Sequence, residues 1–341
     1  MANSMVSMKK IKIGGIDQWI YIRTKDVNNP IVLFLHGGPG NPSVYVLREF
    51  QEPLEKHFNI VQWEQRGSGK SYSKKIPKES LNVNQFILDL HELINYLLKR
   101  FNKKKVFLIG HSWGSLLGVL TVKKYPELFY AYIGIGQLVN PVESEKKSYE
   151  LVLNKAIEYN DKKAIEDLKQ IGKPFDGMKP PYKTQYKGGY KARLRFYGWL
   201  AKFGGVYYDV NYFTNKKRYL YEEFEGKILF YLPFFIKEYS IIDKYKRVKG
   251  GMLSMQAMTE EILKIDLKKD VPSLNVPVFF MLGRHDMNVP SVLAEDYFNN
   301  LKAPQKELIY FEKSSHLPNA EEAKKFNRLF VEKILPLAFE K

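Results

Sequence analysis

Among its 341 residues the chain has no cysteine, six histidines and only ten arginines, and no apolar stretch approaches the roughly 18 residues of a membrane span. Without cysteine there is no disulfide framework, no thiolate metal site and no cysteine nucleophile, and a metal site would need His and carboxylates alone. Met1 to Lys10 contains no apolar h-region. These absences lead us to expect a cytoplasmic protein with no membrane attachment. The shortage of arginine also bears on the formal charge of +17, which would otherwise suggest a nucleic-acid partner. The surplus is lysine, scattered in short pairs such as Lys123-Lys124 and Lys268-Lys269, with Lys103-Lys104-Lys105 the longest lysine run. Arginine forks dominate phosphate and base recognition, so scattered lysine reads as a solubility bias and no nucleic-acid partner is expected.

A hydrophobic fraction of 45% with 14% aromatics is enough to fill a core, which excludes a disordered or collagen-like chain. At about 150 residues per domain, the length allows two domains or one large domain with an insertion. Ile31 to Leu35 and Ile60 to Trp63 are apolar runs of strand length, each ending at a Gly-rich turn. From Val83 to Phe101 apolar residues recur at helical spacing, Val106 to Ile109 reads as a strand, and Ser115 to Tyr125 reads as a helix stopped by Pro126. The alternation lapses near Pro141 and resumes at Val276, with strands over 276–282 and 307–311 and helices over 290–301 and about 320–335. In between lie helix-like pieces over 150–171 and 222–235 and a Tyr-, Lys- and Gly-rich segment over 180–221. The reading is an α/β protein with a mostly parallel central sheet and helices on both faces. Residues 1–140 and 270–341 form its core domain, and 141–269 an inserted, mainly helical cap.

Gly110-His111-Ser112-Trp113-Gly114 fits G-x-S-x-G between an expected strand and an expected helix. A nucleophile elbow is so tight that it needs small residues two before and two after the serine. A serine hydroxyl also needs a base, and the base an acid. In this fold order the acid follows a late strand and the histidine the next one. Asp286 and His316 stand there, and His316 is the one histidine beyond His285. The oxyanion of an acyl transfer needs two N–H donors. Trp113 supplies one, and His36-Gly37-Gly38-Pro39-Gly40 supplies the other through Gly38.

Those motifs, together with Glu64-Gln65-Arg66-Gly67-Ser68-Gly69-Lys70-Ser71 and Gly283-Arg284-His285-Asp286, resemble the α/β-hydrolase fold, in particular the proline iminopeptidases and related esterases. The resemblance covers roughly 30–140 and 270–338. It implies that Ser112 attacks, that His316 is base then acid, that Asp286 orients the imidazole, and that Gly38 and Trp113 form the oxyanion hole. It implies no cofactor and no metal.

Two departures matter. The family typically has Asp-Gln-Arg-Gly where this chain has Glu64-Gln65-Arg66-Gly67. Its Trp-x-x-Trp-Glu stretch, whose glutamate binds the substrate's free ammonium, is absent; Trp199 stands alone, leaving Glu222, Glu223 or Glu225 to take the ammonium or to be solvated helix charges. The aromatic-rich stretch offers Tyr197, Trp199, Phe203 and Tyr207 as a wall for a bulky, mostly apolar ligand. The expected substrate is therefore a small molecule, an ester or lactone with a large apolar part, macrocyclic lactones included. The alternative is a short peptide with N-terminal proline, and a catalytically silent binding protein is a third reading. Serine rather than aspartate at the elbow argues against epoxide hydrolysis and dehalogenation. Gly67-Ser68-Gly69-Lys70-Ser71 ends like a phosphate-binding loop, but the first glycine that motif needs is Glu64, so it reads as a tight turn.

Overall fold

The computed structural model describes residues 3–180, 183–210 and 238–339. Eight strands form one sheet: β1 (Met5–Ile13), β2 (Ile16–Thr24), β3 (Ile31–Leu35), β4 (Asn59–Glu64), β5 (Val106–His111), β6 (Phe129–Ile135), β7 (Val278–Gly283) and β8 (Lys306–Phe311). Their order is β1-β2-β4-β3-β5-β6-β7-β8. From β4 to β8 every pairing is parallel; β1 and β2 form an antiparallel hairpin that joins β4 antiparallel. Expectation and structure agree on β3, β4, β5, β7 and β8 to within a residue or two. The hairpin is not among the expected strands: β1 lies at the sheet edge, mostly exposed, with Lys9, Lys10 and Lys12 interrupting its apolar residues, whereas β2 is largely buried through Ile20, Tyr21 and Ile22.

Each parallel strand serves two cores because successive side chains point to opposite faces. Ile31, Leu33 and Leu35 join one buried layer with Leu90, Leu97, Leu116 and Tyr297, while Val32 and Phe34 join another with Leu54, Phe58, Phe326 and Phe330. Strands buried on both faces must read as unbroken apolar runs. Burying each such side chain contributes roughly 1.5–3 kcal/mol.

Helix α1 (Val44–Phe50) follows β3, and α2 (Val83–Phe101) begins at Asn82, whose side chain accepts from Gln85 N at 2.9 Å. That helix ends at Asn102, which turns left-handed at φ 50°. Helix α3 (Trp113–Lys124) starts two residues earlier than the sequence suggests because Ser112 itself is the turn.

Between β6 and β7 the described residues form helices: α4 (Pro141–Glu158), α5 (Lys162–Ile171), α6 (Gly189–Lys202), α7 (Ile241–Ile262) and a short turn at Leu267–Asp270. The single helix expected over 150–171 is two. Asn160 adopts φ 51° and Asp161 caps the next helix, its carboxylate accepting from Ala164 N at 3.0 Å. Helix α4 reaches back to Pro141 because Asn140 caps it through the amides of Val142 and Glu143. The helix expected over 222–235, with Glu222, Glu223 and Glu225, lies outside the described residues. Helix α8 (Ser291–Asn300) follows β7. The last expected helix is broken into Pro318–Glu321, Ala323–Leu329, a wide turn and a tight turn at Pro336. No helix among the described residues is long and apolar enough to cross a membrane.

Candidate active site

The site starts from the steric demand of one turn. Ser112, between β5 and α3, is held at φ 56°, ψ −123°, a conformation rare outside glycine. A Cβ on Gly110 would lie 2.5 Å from Gly114 O, and one on Gly114 would lie 2.3 Å from Leu35 O. The two glycines thus let α3 pass directly over β5 and β3. The turn is fixed by Ser112 N donating to Ile135 O at 3.0 Å and by the Ser115 hydroxyl donating to Ser112 O at 2.6 Å.

Asp286 and His316 arrive from the ends of β7 and β8 and meet: His316 Nδ1 and Asp286 Oδ2 are 2.7 Å apart, with both side chains buried. The other carboxylate oxygen accepts from the amides of Asn288 and Val289 at 2.9 and 2.8 Å, so the acid is oriented before it touches the imidazole. The ring lies against Gly136, where a Cβ would come 2.8 Å from its Cε1, one residue past the carbonyl that holds Ser112. The Ser112 hydroxyl makes no hydrogen bond to His316; such contacts are often long without substrate and tighten around it.

Around this couple the loops are pinned. His316 N donates to Val206 O, and the amides of Met287 and Asn288 both donate to Gly205 O. The Glu321 carboxylate accepts from Ser315 N and Tyr208 N, and burial raises its pKa to about 7 despite those bonds. His111, beside Ser112, lies with its ring centre 4.6 Å from that of His316, the two rings tilted by 49°, and hydrogen-bonds His316 O through Nε2 at 3.0 Å. Burial first, and then the neighbouring His316, push the pKa of His111 down to about 3. It stays neutral, so it adds no positive charge where an imidazolium would form.

The loop after β3 presents its amides to the same place. Gly38 and Trp113 line the pocket with Ser112, and neither N–H has a protein acceptor among the described residues. Glu64-Gln65-Arg66-Gly67-Ser68 locks that loop. His36 Nε2 accepts from Gln65 N at 3.2 Å, the Gln65 amide donates to His36 O at 3.1 Å, and its Oε1 accepts from the Trp113 indole at 3.0 Å. Burial lowers the His36 pKa to about 4, keeping the ring neutral. The phosphate-loop lookalike is a tight turn here: Lys70 Nζ pairs with Asp243 of α7 at 2.8 Å, and the Glu64 carboxylate accepts from Lys70 N and the Tyr239 hydroxyl. Burial raises Glu64 to about 7.

The pocket over Ser112 encloses about 610 Å³, its open mouth included. Of the aromatic residues singled out in the sequence, Tyr197 lines it. Trp199 does not; its indole donates to Asp167 of α5 at 2.7 Å and its ring stacks on Phe203, which in turn stacks on Tyr159. Tyr207 is also absent from the lining. Sequence reasoning missed Glu145 on α4 and Arg193 on α6, which do line the pocket. The Glu145 pKa is raised by burial against the opposing pull of Arg193. A glutamate one turn into a helix bristling with Glu and Lys carries no sequence signal of this. Among the described residues no group of three or more His, Asp or Glu gathers as a metal ion would require.

The family model for the alpha/beta hydrolase fold matches residues 30–323. A probable aminopeptidase, YbaC, of Bacillus subtilis (strain 168) is 35% identical over 323 residues, 95% of this chain and 94% of its own. A proline iminopeptidase of Thermoplasma volcanium is 24% identical, with 95% and 96% covered. Among solved structures, a proline iminopeptidase-related protein from Thermus thermophilus superposes with TM-score 0.62 at 14% identity, covering 98% of this chain and 99% of its own. A 2-hydroxy-6-oxo-6-phenylhexa-2,4-dienoate hydrolase from Rhodococcus sp. strain RHA1 also gives 0.62, at 18% identity, covering 97% and 99%. The chain belongs to the α/β hydrolase fold family of enzymes.

Proposed function

We propose that the protein is a serine hydrolase that releases the N-terminal residue of short peptides through an acyl-enzyme. Ser112 attacks the carbonyl while His316 takes its proton, and Asp286 holds the imidazole with Nε2 toward the serine. The amides of Gly38 and Trp113 bind the developing oxyanion. His316 then protonates the leaving amine and activates the water that frees Ser112. The observation that carries the chemistry is the buried 2.7 Å Asp286–His316 contact against Gly136, next to the serine turn. In this reading residues 141–269 act as a cap over the site.

For the substrate, the supporting observation is Glu145. Its carboxylate lines the pocket, and Oε1 is buried with no hydrogen-bond partner. A carboxylate there suits a free α-ammonium, the demand that separates an aminopeptidase from an esterase, and the relatives named aminopeptidase agree with it. The second reading, an ester or lactone hydrolase, draws on the apolar part of the lining, Leu138, Met255, Ile262, Leu263 and Val289. Rates on a prolyl arylamide, its N-acetyl form and aryl esters decide between them. We expect hydrolysis of the free amine and little of the acetylated form. Ester turnover with no advantage for the free amine would give the second reading the lead.

A further inference from the structure

Glu145 and Arg193 line one pocket with Ser112, yet no ion pair among the described residues joins them. Each keeps a buried atom without a partner, Oε1 of the carboxylate and Nε of the guanidinium. The buried Ser144 hydroxyl is likewise unpartnered, and the Tyr186 hydroxyl lies beside the carboxylate and, with Arg193, opposes the effect of burial on it. Arg193 makes a single hydrogen bond among the described residues, Nη2 to the Tyr197 hydroxyl at 3.3 Å, and lies 5.1 Å from that ring's centre. The guanidinium stays charged: burial works against it, and Tyr197 and Glu145 more than offset that.

A buried charge is ordinarily paired and its hydrogen-bonding capacity filled. Here one charge of each sign is left half-satisfied over the nucleophile. An apolar occupant would desolvate both and satisfy neither. A simple cation would satisfy only Glu145 and leave the guanidinium with the Tyr197 hydroxyl as its one acceptor. Only an occupant carrying both an ammonium and an anion answers both groups. Among anions, a planar carboxylate matches the guanidinium fork.

Resting on the aminopeptidase reading, we propose that Arg193 is a substrate-carboxylate subsite, so that the enzyme prefers short zwitterionic peptides over substrates that carry only a free amine. The carboxylate can come from the C-terminus of a dipeptide or from an acidic side chain next to the scissile bond, and the two sources share this chemistry.

The test measures binding without turnover. Calorimetry on the full-length Ser112→Ala protein would compare prolyl-alanine with prolyl-alanine amide, and prolyl-aspartyl amide with prolyl-asparaginyl amide. The carboxylate member of at least one pair should bind tenfold tighter or more. Preference in the first pair identifies the chain terminus as the source, and preference in the second the side chain. Adding Arg193→Gln should reduce the preference to less than twofold. Since the key comparison is made with Arg193 in place, it stands even if that variant folds poorly. Affinities within twofold in both pairs, or no measurable binding of any peptide, would overturn the proposal. Turnover of prolyl arylamide, which has no carboxylate, tests the aminopeptidase reading separately.

Discussion

Two arginines show how differently the sheet core and the helical stretch above it treat charge. Arg66, in the turn after β4, is closed on every side: Nε and Nη2 reach the two oxygens of Asp89 at 2.8 and 2.9 Å, Nη2 also donates to Gly14 O at 2.8 Å, and Nη1 to the Ser80 hydroxyl at 3.2 Å. Asp89 accepts further from Gln18 and Gln85. Arg193 has one 3.3 Å bond and an unpartnered Nε. The first is framework, joining the β1–β2 turn and α2 to the turn after β4, whose Gln65 holds the loop after β3 and the Trp113 indole. The second is unfinished in the way a binding site is, because its missing partners arrive with the substrate.

The largest effect should come from the chemistry itself. Ser112→Ala should lower kcat on the order of 10⁴- to 10⁶-fold while leaving the denaturation midpoint unchanged, because the hydroxyl is not part of any packing layer. More than a tenth of the activity remaining would remove Ser112 from its role. Next comes the framework pair. Asp89→Ala strands a buried guanidinium and should cost about 3–5 kcal/mol in urea denaturation. Arg193→Gln should cost about 1 kcal/mol or less, since it removes one 3.3 Å hydrogen bond to the Tyr197 hydroxyl and no closed ion pair. Equal losses from the two changes would erase the distinction between the arginines.

Glu64 gives a pH signature to the framework. Its folded pKa of about 7 lies above its ordinary 4.5. The folded protein therefore holds an extra proton between those values, and its stability relative to Glu64→Gln falls as pH rises through that window. The difference should swing by about 3 kcal/mol between roughly pH 4 and pH 8, with the variant gaining at high pH. The comparison with the variant is needed because His36 and His111, whose pKa values are depressed from 6.5, contribute with the opposite sign at lower pH. A pH-independent difference would mean that Glu64 titrates alike folded and unfolded. The smallest effect concerns the pocket: Glu145→Gln should reduce kcat/KM for free-amine substrates about 10- to 100-fold and leave N-acetylated ones unchanged. Equal loss on both would take the ammonium away from Glu145.

The same contrast governs what could be read from the residues alone. The serine turn, and the carboxylate and imidazole that meet beside it, are legible because a tight turn demands glycine at 110 and 114, and strand order dictates where the partners follow. Parallel strands buried on both faces announce themselves as apolar runs. The helical stretch offers neither constraint. The surface helix α4 hides Glu145 among six other charged residues, and the aromatic density that suggested a pocket wall turns out, at Trp199 and Phe203, to be helix packing against Asp167 and Tyr159. Tyr197 lines the pocket because it lies one turn beyond Arg193 on the same face of α6. The hairpin at the sheet edge escapes in its first strand for a related reason: only Met5, Ile11 and Ile13 of β1 turn to the core, and Lys9 interrupts that face.

The central claim, a serine made nucleophilic by His316, is tested most directly by reaction with a fluorophosphonate, the adduct being mapped by peptide mass spectrometry. The account predicts one adduct, on Ser112, forming at least about a hundredfold more slowly in His316→Ala. An adduct on another residue, or a rate indifferent to the loss of that imidazole, would contradict it.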